Sequence, residues 1–400
     1  MPQLSKLRIA LLTYSTKPRG SVIHTLELAD ALQSLDHEVC IFALDKDGLG
    51  FDRHLSCDFQ PVPAQAAPSN INLLIQQRIQ EFVDYLSSSQ LNYDIYHAQD
   101  CIGANALAIL RSRGLIPHFI RTVHHIEDYN SPYLQACQDR SIREAELCLC
   151  VSDSWQKQLY EHYQIHAPRV INGVNLQKFS CDRNGMEPQI KQKFNLTGSP
   201  IYLTVGGIEP RKNSIKLIQA FAQVLVDFPN AQLVIAGGAT LFDYQAYRDE
   251  FFDTVKELNK ELNIAKSLVI TGVLTDAELP VLYRCADAFV FPSAKEGWGL
   301  AIMEAIASGL PAITSDSLPF TEFLSEQQAL LVNPDDIQAI AKAMCLVTQT
   351  DLSHSLVEAS QSVLSIYTWT NSAQMHIVQY QKMAKLSYSA LRSNPNQEKF

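Results

Sequence analysis

The chain has 400 residues, 46% hydrophobic and 18% charged, with a net charge of −10. That length exceeds what one core usually serves, so two domains are expected. The acidic balance argues against broad nucleic-acid binding, which needs a basic surface. Nine cysteines, an odd number without a Cys-x-x-Cys pair, argue against a disulfide framework and fit a reducing, cytoplasmic setting.

The opening MPQLSKLRIALLTYS carries an apolar run as long as one core strand and no small-residue cleavage site, so it does not read as a signal peptide. No stretch reaches the ~18–20 apolar residues of a membrane span, although peripheral contact with a membrane surface is compatible with the sequence. Arg8–Tyr14 reads as a buried parallel strand. A helix follows from about Ser21, and Glu38–Leu44 is the next strand. Further strands are expected at Ile95–Ala98, Phe119–Val123, Leu147–Val151 and Arg169–Ile171. Helices fall between them at Ile71–Leu86, Ala104–Arg113, Tyr133–Glu146 and Ser154–Tyr163. Cys148 and Cys150 occupy alternate faces of one strand and read as buried structural thiols.

Residues 173–200 turn polar, with NGVNLQKFSCDRNGMEP, and read as an interdomain connection. The second block runs strand Ile201–Val205, helix Ser214–Phe228 capped by Asn213 or Ser214, strand Gln232–Ala236, helix Tyr244–Leu262 and strand Leu268–Thr271. Helix Asp276–Arg284, strand Ala288–Phe291, helix Leu300–Ser308 and strand Ala312–Thr314 follow. Helical patterns at Ile337–Val347, Leu352–Ile366 and Thr370–Leu391 close the chain before a frayed SNPNQEKF tail. Alternating strands and helices predict an α/β protein of two doubly wound parallel sheets, 1–172 and 201–368, with a cleft between them and 369–400 as a terminal helix.

In such sheets ligands bind beyond the carboxyl ends of the strands. Two post-strand loops stand out. KEGWGLAIMEA (Lys295–Ala305) places Glu296 on a loop, two glycines next, and Glu304 about one turn inside the following helix. Carboxylates accept paired hydrogen bonds from vicinal hydroxyls such as those of a sugar or ribose, and the first free helix amides suit an anion. VGGIEPRKN (Val205–Asn213) places Arg211 and Lys212 at the mouth of a helix, where both suit phosphate. The plainer alternative makes Glu296 a turn residue, Glu304 a solvated helix residue and Arg211 and Lys212 two surface cations on a solvated turn. No Gly-x-x-x-x-Gly-Lys-Ser/Thr loop, no Gly-x-Gly-x-x-Gly after a strand and no Asp-x-Asp at the expected diphosphate position occur.

Together these features resemble the retaining glycosyltransferases of family 4, of GT-B architecture. The match rests on Glu296, the Gly297-Trp298-Gly299-Leu300 turn and Glu304, with VGGIEPRKN, LVIAGGA (Leu233–Ala239), ITGVL (Ile270–Leu274) and INGVN (Ile171–Asn175). KPRGS (Lys17–Ser21), DIYHAQD (Asp94–Asp100) and TVHH (Thr122–His125) extend it to the first half, so that it covers about residues 8–390. It implies transfer from a nucleotide-diphosphate sugar to a hydroxyl acceptor, whether glycan, small molecule or lipid-linked. Glu304 would hold the ribose. Glu296, with the amides of Gly297, Trp298, Gly299 and Leu300, would hold the sugar and a phosphate. Arg211 and Lys212 would neutralise the diphosphate beside Gly207, without a metal or other cofactor. Gly272 and Val273 would approach the base, and Gly20 and Ser21 the phosphates. His124 would reach the donor sugar from the first domain in preference to His125. The terminal helix would cross back to the first domain. His97 and Asp100 follow a strand and suit either acceptor contact or loop packing. The sequence departs from the common pattern at Gly206-Gly207, where Gly-Arg is frequent, at Asn175, where Asp is frequent, and at Gly20-Ser21, where Gly-Gly is common. A phosphorylase would need a lysine anchoring pyridoxal phosphate, for which no context appears. A catalytically silent sugar-nucleotide-binding or scaffold protein is the remaining alternative.

Overall fold

The structure, a computed structural model, describes residues 6–89, 91–237 and 244–392. It divides into two compact units, 1–173 with 369–400, and 174–368.

The first unit carries one parallel sheet of six strands: β1 (Arg8–Thr13), β2 (Glu38–Asp45), β3 (Asp58–Pro63), β4 (Ile95–Ala98), β5 (Ile120–Val123) and β6 (Leu147–Cys150). Their order is β3-β2-β1-β4-β5-β6. Helices α1 (Gly20–Ser34), α2 (Ile71–Ser88), α3 (Cys101–Ser112), α4 (Pro132–Arg143) and α5 (Asp153–Tyr163) connect them. β1 is buried at every position after Arg8, which is why it reads as an unbroken apolar run. β3 was not expected: DFQPVP holds two prolines, which cannot donate to a ladder. It pairs only with β2, so it is an edge strand where proline is tolerated. The strand expected at Arg169–Ile171 shrinks to a single bridge between Arg169 and Cys150.

The second unit repeats the design. Its strands are β7 (Ile201–Gly206), β8 (Gln232–Gly237), β9 (Leu268–Ile270), β10 (Ala288–Phe291), β11 (Ala312–Ser315) and β12 (Leu330–Val332), in the order β12-β11-β10-β7-β8-β9. Its helices are α6 (Glu187–Lys193), α7 (Ser214–Asp227), α8 (Gln245–Leu262), α9 (Glu278–Cys285), α10 (Leu300–Ala307), α11 (Ile337–Leu346) and α12 (Thr350–Leu364). β12 has three residues, too few for a periodic signal. Residues read as a connection include α6, which packs on α9, with Arg284 Nε donating to the buried Glu187 Oε1 at 2.7 Å. Tyr202, Ile218, Phe221, Leu233, Phe251 and Val290 are among the buried residues of this core. The last two residues of LVIAGGA, Gly238 and Ala239, lie outside the described residues, as does the SNPNQEKF tail.

The chain returns to the first unit in α13 (Trp369–Arg392), which packs against α1 and β4. Among the described residues no helix is long and apolar enough to cross a membrane. All nine cysteines are free, and Cys148 and Cys150 are buried.

In each sheet the strand order reverses at the middle, between β1 and β4 and between β7 and β10. Such reversals open adjacent loops at the carboxyl edge, where ligands bind in open α/β sheets. In the second unit those loops are VGGIEPRKN after β7 and the Lys295–Leu300 segment after β10.

Candidate functional site

The two loops are stitched together. The carbonyl of Arg211 accepts from the amides of Ala294 (2.9 Å) and Lys295 (3.3 Å). Asn213 begins α7 in the left-handed region (φ 59°), and its side chain does not cap the helix as expected. Its amide donates instead to the carbonyls of Pro292 (3.1 Å) and Pro334 (2.6 Å), tying the helix start to the segment after β10.

This stitching brings Glu296 onto both cations. Lys212 Nζ lies 2.5 Å and Arg211 Nη1 3.2 Å from the same oxygen, Glu296 Oε1. Arg211 Nε also lies 3.0 Å from Oε2 of Glu209, which is wholly buried. Lys212 further stands 4.3 Å over the Phe291 ring. Gly206 makes room for that lysine. It sits at φ +142°, and a Cβ there would come within 3.0 Å of Lys212 Cε.

Burial and the neighbouring charges set the ionisation of the pair. Burial pulls the Lys212 ammonium down to about 8, with Glu296 opposing and Arg211 reinforcing the fall. Burial alone would raise the Glu296 carboxyl, but Lys212 and then Arg211 outweigh it and hold it below its ordinary value. Of the two expected surface cations, Lys212 is largely enclosed, its side chain 13% exposed beside Glu296 at 8%, whereas Arg211 is 27% exposed.

Glu304 lies on α10, held by a different partner. The hydroxyl of the wholly buried Tyr283 donates to Glu304 Oε2 at 2.9 Å and lies 3.1 Å from the carbonyl of Ala301. Gly299 opens α10 at φ +110°, where a Cβ would meet Phe320 at 2.8 Å, so only glycine fits. The Trp298 ring is a packing group: it stacks on Phe323 at 4.8 Å and is 3% exposed. Gly207 lies in the β7 loop, while Gly272 and the exposed Val273 follow β9 on the same carboxyl edge.

In the first unit Gly20 and Ser21 open α1, beyond the end of β1. His124 follows β5, and its Nε2 donates to Gln99 Oε1 at 3.0 Å. Burial, reinforced by His24 and Arg121, lowers its pKa well below the usual 6.5, so it is a neutral imidazole. His125 is more open and lies 2.5 Å from Glu127 Oε1. The other two candidates have partners within this unit, and His97 lies on β4 itself rather than after it. Asp100 caps α3, with Oδ1 accepting from Gly103 N at 2.8 Å. His97 is buried between Thr122 Oγ1 and the Tyr380 hydroxyl, each at 2.7 Å. Sequence reasoning passed over His24, which packs edge-on to His124 (4.6 Å between centroids) and bonds Asn172 of the INGVN motif at 2.8 Å. Asn175 of that motif accepts from the amides of Gln177 and Lys178, a turn that Asp would close equally well.

The model of "Glycosyltransferase Family 4" matches residues 18–178, and that of "Glycosyl transferases group 1" matches residues 186–362. An O-antigen chain mannosyltransferase B of Escherichia coli is 25% identical, over 65% of this chain and 69% of its own. An uncharacterized glycosyltransferase of Methanocaldococcus jannaschii is 24% identical, over 92% of this chain and 96% of its own. Among solved structures, Anabaena HepE in complex with UDP and glucose superposes with a TM-score of 0.75 at 18% identity, covering 94% of this chain and all of that one. Two doubly wound parallel sheets with these family signatures define a glycosyltransferase of the GT-B class. Within that class, the chain belongs to glycosyltransferase family 4.

Proposed function

We propose that the protein transfers a hexosyl group, with retention at the anomeric carbon, from a nucleotide-diphosphate sugar to a hydroxyl acceptor. The observation that carries this reading is the convergence of Arg211, Lys212 and Glu296 from the two loops that flank the strand-order reversal. When the anomeric C–O bond breaks, its electron pair stays on the phosphate. Two fixed cations and the amides of Gly297 to Leu300 stabilise that charge without reorganising, which is where such groups act most strongly. Arg211 and Lys212 thereby take the part that a divalent cation plays elsewhere, and transfer is expected to proceed without metal.

In this reading Glu296 holds the transferred sugar and Glu304 the ribose, one helical turn further on. Gly207 flanks the diphosphate, and Gly272 and Val273 offer backbone contacts to the base. The Anabaena relative of the same fold was solved with UDP-glucose as well as UDP, which supports a nucleotide-sugar donor here. His124 is assigned a hydrogen bond to the transferred sugar, and Gly20 and Ser21 the approach to phosphate. A neutral His124 suits hydrogen bonding to a hydroxyl rather than charge neutralisation.

The test is calorimetry with UDP-, GDP- and ADP-sugars, beside a product assay with and without a chelator. Anomeric retention is read by NMR of the product. Binding without transfer to any acceptor would favour the silent scaffold, and activity abolished by the chelator would remove the metal-free assignment.

A further inference from the structure

The proposed function gives Glu209 no role, yet its carboxylate is wholly buried and lies 3.0 Å from Arg211 Nε. Burying a charge is costly unless it is paired, and an apolar residue of similar volume is often no less stable there. A buried carboxylate aimed at one edge of a guanidinium therefore calls for a role in orientation. The backbone aims it. Glu209 precedes Pro210, which disfavours the helical region, and it is extended at φ −141°, ψ 148°. From there its carbonyl accepts from Lys212 N at 3.0 Å, closing the short turn that carries both cations.

We propose that Glu209 is a positioning residue for the diphosphate site, an inference that rests on the donor reading above. It engages the Nε edge of Arg211 while Glu296 engages Nη1, so the planar fork is held from two sides. It also balances the cluster. Glu209, Arg211, Lys212 and Glu296 carry two charges of each sign, so two cations stand on one carboxylate before any donor arrives. Glu209 favours the charged form of Lys212, as Glu296 does, against burial and Arg211.

The test is a double-mutant cycle read by calorimetry, with UDP, GDP and ADP as probes and the tightest of the three carried through all variants. Glu209→Gln keeps the shape and removes the charge. It should weaken nucleoside-diphosphate binding about tenfold in the wild-type background and less than about twofold in Arg211→Ala, because the effect travels through that arginine. The alkaline limit of binding should also move to lower pH in Glu209→Gln. Its sense is set by Glu296 across the loops, Arg211 beside Lys212 and the apolar Phe291 face beneath it. If Glu209→Gln does not fold, Glu209→Asp, which keeps the charge but withdraws it by one methylene, should show the same dependence on Arg211. Equal weakening in both backgrounds, or none in either, overturns the proposal. Arg211→Ala binding as tightly as wild type would sink the donor reading itself, and this inference with it.

Discussion

Replacing Lys212 by Ala tests the diphosphate assignment with the least collateral damage. Its ammonium lies 2.5 Å from Glu296 Oε1 and is mostly enclosed, so its charge acts in a medium of low effective dielectric. Two unit charges about 4 Å apart interact by roughly 4 kcal/mol at an effective dielectric near 20. Removing one preorganised donor to a developing anion typically costs about 2.7–4 kcal/mol, a factor of about 10²–10³ in turnover. That range is expected for Lys212→Ala, measured as initial rate of nucleoside-diphosphate release at saturating donor. Glu296 keeps Arg211 as a hydrogen-bond partner, so the loss of stability should stay below the about 3–5 kcal/mol of a broken buried ion pair. Removing Arg211 and Lys212 together takes both of these partners from a nearly buried carboxylate and should approach that full cost. A folded Lys212→Ala protein with both kcat and donor KM at their wild-type values would refute the assignment. An unchanged kcat with a raised KM would show that Lys212 grips the ground state and transition state equally.

The depressed Lys212 pKa of about 8 predicts an alkaline limb in kcat/KM near that pH, since the free enzyme loses its cation as pH rises. Between about 8 and the usual 10.5 the unfolded chain binds more protons at this group than the folded one, so its contribution to stability rises with pH, and circular dichroism should show the fold intact where activity is falling. Gly206→Ala should cost about 1–3 kcal/mol of stability, seen by denaturant melting, and weaken donor binding in step, because its strain displaces Lys212. Tyr283→Phe removes the hydroxyl on Glu304 Oε2 and should raise the donor KM about tenfold with little change in kcat; a donor lacking its ribose hydroxyls should no longer distinguish the variant from wild type. Trp298→Ala should cost about 3–5 kcal/mol by the same melting assay, whereas Trp298→Phe, which keeps an aromatic on Phe323, should still bind donor.

The second unit was largely legible because its chemistry is contiguous. Arg211 and Lys212 sit in one loop, Glu296 and the α10 glycines in another, and each loop follows an apolar run that can only be a strand. What the pattern could not give was the enclosure of Lys212. A Lys-Arg pair at a helix mouth reads as solvated until Gly206 is seen to admit the lysine and Glu209 and Glu296 to neutralise both. The role of Asn213 was misread for a related reason. A capping side chain is a local expectation, whereas its bonds to Pro292 and Pro334 depend on strands distant in the chain. β3 was missed because its prolines speak against a strand in general, and only its edge position excuses them.

The first unit resisted because its corresponding place is assembled from single residues. His24 comes from α1, His97 from β4, His124 from the loop after β5 and His376 from α13; the sequence marks His97 and His124 singly, but nothing local joins them to His24 and His376. Burial lowers all four, with His24 brought to about 3 and His376 to about 4, so neutral rings fill the space beneath His124. The two sheets share one strand order, yet one unit lines its reversal point with paired ions and the other with uncharged imidazoles. On the donor reading proposed above, the ion cluster of the second unit would meet the charge of a pyrophosphate, and the neutral groups of the first unit would hydrogen-bond hydroxyls. Where the chemistry of a site depends on charge, the charged residues cluster in sequence and can be found there; where it depends on neutral, buried polar groups, only the fold brings them together.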